Sequence, residues 1–144
     1  MQKSVDVLVV DSSMERQRAL ANGLFSEIHN VRVAPAESFH EVMMSLVMRV
    51  NLPKGFDAYV VRGPFPHRKG EEPQDLSVEL AERIYDHERT NDKTFMVDSD
   101  VSRLLDAQRK GIHRAYYEGQ QTHNGGIKSI IYLIPDLKRF LQLE

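Results

Sequence analysis

Five apolar runs alternate with helical periods along the chain. The first, third and fourth runs, at Val5–Val10, 58–61 and 95–97, are almost continuously apolar, which is typical of strands buried on both faces. The runs at 31–33 and 113–117 contain more polar residues and predict edge strands. This alternation predicts an α/β fold, a doubly wound, flavodoxin-like parallel sheet of five strands in the order 2-1-3-4-5 with helices on both faces.

Two serine–glutamate pairs mark where helices are expected to begin. Ser12 with Glu15, and Ser38 with Glu41, have the spacing of an N-terminal capping box. The polar stretch 63–74 contains three prolines and predicts a long exposed loop.

The last segment carries the strongest apolar run. Apolar residues from 127 to 141 fit one amphipathic helix, which Pro135 should kink or divide; a strand at 129–134 is the competing interpretation. The run exceeds the stripe of about 100° that a helix can bury against a sheet. We therefore expect a face for self-association or for a protein partner, formed by Ile130, Ile131, Tyr132 and Leu133.

Composition narrows the possible functions. The chain has 19 basic and 21 acidic residues, so its formal net charge of -2 gives no electrostatic reason to expect a nucleic acid or an anionic membrane as partner. The absence of cysteine excludes disulfides and cysteine-ligated metals. No apolar run is long enough to span a bilayer and no signal peptide precedes the first strand, so we expect a cytoplasmic protein.

The length of 144 residues favours a single domain, 1–144. The chain ends in Leu143 and Glu144, a pair commonly left between a cloned segment and a C-terminal tag. Excision from a longer regulatory protein would account for this ending, and chance is the alternative explanation.

Three segments resemble the receiver domains of bacterial response regulators. Residues 7–24 (VLVVDSSMERQRALANGL) are similar to the first strand and helix of that family. Residues 57–70 (DAYVVRGPFPHRKG) resemble the third strand and the loop after it, with Pro66 and Gly70 at family-like spacing. Residues 110–119 (KGIHRAYYEG) resemble the segment that leads into the fifth strand and contains it. The similarity covers essentially the whole chain and implies the receiver fold and a role in signal transduction.

Receivers carry phosphoryl-transfer chemistry at their strand ends. Two acids after the first strand and an aspartate ending the third bind magnesium, and that last aspartate is phosphorylated. A hydroxyl residue after the fourth strand and a lysine after the fifth contact the phosphoryl group. A carboxylate can attack phosphorus only where cations offset the clustered negative charge.

The resemblance assigns these positions to residues that mostly lack the required chemistry. Asp11 keeps the first acidic position, but the neutral Ser12 takes the second. Arg62 takes the phosphoacceptor position, and arginine is permanently cationic and cannot be phosphorylated by this chemistry. The remaining positions fall on Asp98 or Ser99 for the hydroxyl, depending on register, and on Glu118 for the lysine, which reverses the charge.

We interpret the chain as a pseudo-receiver, because most of the chemical set is missing while the fold signals persist. Such a domain is not an enzyme, needs no cofactor or metal, and acts without phosphorylation. Its partner would be another protein, an attached output domain such as a transcription regulator, or a second copy. The alternative is a small-molecule-binding, nucleotide-binding or enzymatic domain on the same scaffold.

The strand order also predicts the surroundings of Arg62. Strand three lies between strands one and four, so Arg62 should project into the pocket that contains Asp11. Asp98 and Glu118 should approach it from the far side. A guanidinium there can bridge two carboxylates and neutralise the pocket without magnesium.

Overall fold

The computed structural model describes residues 4–49, 55–119 and 126–142. Its parallel sheet has the order β2-β1-β3-β4-β5-β6. The strands are β1 (Val5–Val10), β2 (Val31–Ala36), β3 (Ala58–Arg62), β4 (Thr94–Asp98), β5 (Arg114–Tyr117) and β6 (Lys128–Ser129). The helices are α1 (Met14–Glu27), α2 (Phe39–Arg49), α3 (Ser77–Glu88), α4 (Val101–Arg109) and α5 (Leu133–Gln142), and a 3-10 turn at Ile130–Tyr132 precedes α5.

The sheet confirms the predicted α/β fold and the order of the first five strands, but the described residues form six strands rather than five. β6 lies parallel to β5, with Tyr116 opposite Lys128 and Tyr117 opposite Ser129. β5 is therefore not the edge strand that its polar sequence predicted. A strand of two residues is too short to produce a hydrophobic period, so the pattern could not reveal β6.

Helices cover both faces of the sheet, which explains why its central strands are continuously apolar. In β1, Val7 and Val9 pack on the side of α1 and α5, whereas Leu8 and Val10 pack on the side of α2, α3 and α4. Alternate side chains of a strand point to opposite faces, so a strand covered on both faces has no position left for a polar residue in its centre.

The prediction of one helix from 127 to 141 is wrong in its first third. The chain there forms β6 and the 3-10 turn before α5 begins at Leu133. Pro135 is the third residue of α5, where no intrahelical partner is needed for its missing N–H, so it neither kinks nor divides the helix. The competing strand at 129–134 is also wrong beyond Ser129.

Of the two predicted capping boxes, one is formed in part and one is displaced. At α2, the Glu41 N–H donates to Ser38 Oγ at 3.2 Å as predicted, but Glu41 Oε1 accepts from the Glu37 N–H, at 3.1 Å, rather than from the Ser38 N–H. At α1 the capping residue is Ser13 rather than Ser12, and its Oγ accepts from the Arg16 N–H at 3.2 Å. This start places Arg16 in the first turn of α1, beside the end of β1.

The expectation that the chain was excised from a longer protein rests on its last two residues. Leu143 and Glu144 lie outside the described residues. Within the described ranges, no helix combines the length and the apolar character needed to cross a membrane.

Candidate functional site

Four chemistry-bearing side chains come together where the parallel strands end. Asp11 directly follows β1, Arg62 is the last residue of β3, Asp98 is the last residue of β4, and Glu118 directly follows β5. The carboxyl ends of parallel strands meet at one edge of the sheet, and this edge is where ligands bind in doubly wound folds. We call this cluster, together with the two arginines described below, the strand-end pocket.

Arg62 lies between two acids of the strand-end pocket. Its Nε and Nη2 atoms donate to Glu118 Oε2 at 3.1 Å and Oε1 at 2.7 Å, a two-point contact that uses the fork of the guanidinium. Its Nε also lies 3.6 Å from Asp11 Oδ2, within ion-pair reach. The Arg62 side chain is 15% exposed and that of Asp11 only 1%, so water screens these charges weakly.

The principal partner of Asp11 is Arg16, which was not among the residues predicted for this site. Arg16 donates from Nη2 to Asp11 Oδ1 at 2.5 Å and from Nε to Asp11 Oδ2 at 3.0 Å. The Ser13 N–H also donates to Asp11 Oδ1, at 2.9 Å. The hydrogen bond to Asp11 raises the pKa of Arg16 above its ordinary value, outweighing the opposing effect of burial.

Asp98 pairs with Arg103 rather than facing Arg62 as predicted. Its Oδ2 accepts from Arg103 Nε at 2.9 Å, and its Oδ1 accepts from the Asp100 N–H at 2.9 Å. The expectation was wrong because Arg103, in the first turn of α4, reaches back over the strand end. Burial raises the pKa of Asp98 above its ordinary 3.8, although the hydrogen bonds from Arg103 and the Asp100 N–H act in the opposite direction.

Asp11 and Asp98 each begin a copy of the same short sequence motif. Residues 11–16 (DSSMER) and 98–103 (DSDVSR) share an aspartate, a serine, a capping residue and an arginine at the third helical position. In each motif the aspartate accepts the N–H two residues later and then pairs with the arginine. This repeated Asp-Ser-x-x-x-Arg spacing was visible in the sequence and could have identified both arginines.

The two serines predicted for the pocket are exposed. Ser12 and Ser99 are the second residues of the two motifs, and each lies just beyond a strand end. Asp98 is buried at the end of β4, and Ser99, which follows it, is exposed. Glu118 is tied to the same edge, since its N–H donates to the Asp98 carbonyl at 3.0 Å.

The strand-end pocket does not fit the magnesium ion that the family resemblance implies. Both oxygens of Asp11 accept hydrogen bonds from Arg16, and a guanidinium stands at the end of β3 where a ligand carboxylate would be needed. Across residues 4–49, 55–119 and 126–142, no three His, Asp or Glu side chains are grouped to hold a metal ion.

Each acid of the strand-end pocket is paired with a guanidinium. Three carboxylates, from Asp11, Asp98 and Glu118, face three guanidiniums, from Arg16, Arg62 and Arg103. Poorly hydrated charges of one sign are costly unless they are paired and hydrogen-bonded. The arrangement can therefore hold this edge of the sheet in one state without a ligand.

Comparison with known proteins supports the fold. A protein assigned as a response regulator from Chloroflexus aurantiacus J-10-fl superposes with a TM-score of 0.67 and 20% identity, covering 97% of this chain and 99% of that one. A response regulator receiver protein from Pseudoalteromonas atlantica gives a TM-score of 0.61 and 14% identity, covering 95% of this chain and 97% of the other. No family model and no curated protein matches the sequence. At these identities the likeness establishes a receiver-like fold.

Removing the Arg62 guanidinium should destabilise the protein. Arg62→Ala is expected to lower the free energy of unfolding by about 1–3 kcal/mol at neutral pH, because it leaves poorly hydrated carboxylates without a cation. Arg109→Ala is the matched control, since Arg109 forms an exposed pair with Asp106, and its effect should stay within about 0.5 kcal/mol. Urea denaturation measures both.

A double-mutant cycle separates the two partners of Arg62. We expect the coupling energy between Arg62 and Glu118 to exceed that between Arg62 and Asp11, because the first pair makes two hydrogen bonds and the second only approaches to 3.6 Å. Equal couplings, or an unchanged urea midpoint in Arg62→Ala, would contradict the described pairing.

The raised pKa of Asp98 gives a pH dependence of defined sign. A carboxyl whose folded-state pKa lies above 3.8 binds its proton more tightly in the folded protein, so its stabilising contribution is complete below 3.8 and is lost as the pH rises through the folded-state pKa. Asp98→Asn removes this titration. The free energy of unfolding of the wild type, relative to that of Asp98→Asn, should fall across this window in urea denaturation at stepped pH. A difference that rises with pH would contradict the raised pKa of Asp98, and would mean that the hydrogen bonds from Arg103 and the Asp100 N–H outweigh burial.

Proposed function

We propose that this chain is a receiver-like regulatory domain that signals without aspartyl phosphorylation, through contact with another protein. The observation that carries the proposal is the placement of Arg62 at the end of β3, paired with Glu118 and Asp11. In the receiver family that position holds the phosphoacceptor aspartate. The receiver-like fold of the solved structures supports the signalling setting.

The charge distribution argues against phosphoryl transfer at this pocket. A phosphoryl group needs a nearby cation and a divalent ion to offset its charge as it transfers. Here Glu118 occupies the position of the lysine that would contact the phosphoryl group, and its side chain is paired with Arg62. A phosphoryl donor would meet a side chain that cannot accept the group and a pocket whose cations are already committed.

In this proposal the pocket acts as a structural lock rather than a switch. The ion pairs hold the strand ends in one arrangement, and the domain presents a constant surface to its partner. Regulation would then depend on partner binding or on an output domain attached to the single domain 1–144. Catalysis plays no part in this role.

Incubation with magnesium and acetyl phosphate tests the proposal directly. Intact-protein mass spectra should show no added phosphoryl group, and amide NMR spectra should show no saturable change with magnesium at Asp11, Arg62 or Glu118. A receiver with the full residue set is the positive control. A phosphoryl mass gain in this chain, or specific magnesium binding at the pocket, would overturn the proposal.

The exposed side chains before α5 offer a face for contact with a partner. Ile131 and Tyr132, in the 3-10 turn, are 72% and 49% exposed, and Ile130 is partly exposed. Leu133, which the sequence analysis included, is only 3% exposed and packs in the core, so it does not belong to this face. We propose that the turn contacts a second copy of the chain, since exposed aliphatic and aromatic side chains in sequence favour association.

Replacing the two exposed residues should weaken self-association without affecting the fold. The double change Ile131→Asp with Tyr132→Ser is expected to shift sedimentation at high concentration towards the monomer while leaving the urea midpoint nearly unchanged. Val47→Ser is the matched control, because Val47 is 61% exposed on α2, on the other face of the sheet. A wild type that remains monomeric at high concentration would refute the homodimer.

A further inference from the structure

A second cluster of charged side chains lies away from the strand-end pocket, between β5, β6 and α5. These elements enclose a cleft of about 230 Å³. We call it the β5–α5 cleft; it is lined by Arg114, Tyr116, Lys128, Asp136, Arg139 and Phe140. None of these residues belongs to the strand-end pocket.

The single carboxylate in the cleft is already saturated. Asp136 Oδ2 accepts from Tyr116 Oη at 2.6 Å and from Lys128 Nζ at 2.9 Å, and Asp136 Oδ1 lies 3.4 Å from Arg139 Nη1. Burial alone would raise the pKa of Asp136, but the hydrogen bonds from Tyr116 and Lys128 outweigh it and hold that pKa below 3.8. Asp136 is therefore ionised at neutral pH, and its charge is compensated within the cleft.

Tyr116 takes part as a fixed donor. Burial and the hydrogen bond to Asp136 raise its pKa well above the ordinary value of 10.0. The phenol therefore stays protonated at neutral pH and adds no negative charge to the cleft.

Arg114 is held by contacts that leave its charge uncompensated. Its Nε donates to the Asp92 carbonyl at 2.7 Å, and its Cζ lies 5.0 Å from the ring centroid of Phe95 and 4.7 Å from that of Phe140. Cation–π contacts of this kind orient a guanidinium without neutralising it. In the part of the chain that the structure describes, no carboxylate forms an ion pair with Arg114.

The cleft as a whole has an excess of positive charge. Its three cations, Arg114, Lys128 and Arg139, surround one carboxylate. The protein as a whole has a formal net charge of -2, so this excess is local and does not reflect a generally basic surface. A cleft with an excess of two positive charges matches a dianion in charge.

We propose that the β5–α5 cleft binds a phosphate dianion, either free or as a small phosphomonoester. A phosphate group carries a charge of about −1.5 to −2 at neutral pH, which balances the excess. The planar donor fork of an arginine matches phosphate oxygens, and here its orientation is set in advance by two aromatic rings. The volume is below the ~300–1,000 Å³ of drug-sized pockets but holds several waters of ~30 Å³ each, which suits a small anion.

The first experiment titrates inorganic phosphate at constant ionic strength, with sodium chloride as the reference, by calorimetry and amide NMR. We expect saturable shifts at Arg114, Lys128 and Arg139. Arg114→Gln should weaken binding at least tenfold, whereas Arg83→Gln, which removes an exposed arginine of α3 on the other face of the sheet, should leave it unchanged. Because Arg114 packs on two rings, the more exposed Arg139→Gln provides a second variant with little risk to folding and should weaken binding severalfold.

The second experiment replaces inorganic phosphate with phosphoserine or glycerol phosphate. Tighter binding of a monoester would identify an organic phosphate as the ligand, and tighter or equal binding of inorganic phosphate would identify the free anion. Shifts that sodium chloride reproduces, or an Arg83→Gln variant that loses as much affinity as Arg114→Gln, would overturn the proposal. Arg62 and Asp11 take no part in this cleft, so its failure would leave the proposed function untouched.

Discussion

The constraint on which this structure depends is the concentration of carboxylates at the ends of parallel strands. Parallel pairing brings Asp11, Asp98 and Glu118 to one edge of the sheet, and Asp11 and Asp98 are almost fully buried there. Carboxylates in such a place must be protonated, bind a cation from solution or pair with cations of the protein. This chain uses the third solution, with a guanidinium close to each acid.

That solution links local sequence to the tertiary fold. Arg16 and Arg103 are supplied locally, each five residues after the aspartate it neutralises, so they need only a strand end and one helical turn. Arg62 acts over a longer range and connects β3 with the segments after β1 and β5. The two local ion pairs thus neutralise the carboxylates at the ends of β1 and β4, and Arg62 connects the ends of β1, β3 and β5 to one another.

The sequence predicted the parts of this arrangement that follow from strand order. Three continuous apolar runs identify β1, β3 and β4, and their order brings Arg62 close to Asp11. The pairing of Asp98 with Arg103 could not be derived in this way, because it depends on how far a side chain in a first helical turn reaches back. Leu133 was wrongly assigned to the exposed face for a related reason. A 3-10 turn precedes α5, which begins at Leu133, and the two have different numbers of residues per turn. The exposure of Ile131 therefore did not predict on which side the Leu133 side chain lies. Two-residue β6 lies below the length at which any hydrophobic period can be recognised.

The two Asp-Ser-x-x-x-Arg motifs have a mechanical consequence. In each motif an ion pair joins the first turn of a helix to the end of the preceding strand. α1 and α4 therefore cannot slide along the sheet without separating a buried carboxylate from its arginine. Small sliding motions of packed helices are one of the common ways in which proteins transmit a conformational signal. In this molecule such motion is resisted at α1 and α4 by the two buried ion pairs, and at α5 by the hydrogen bond from Tyr116 Oη to Asp136.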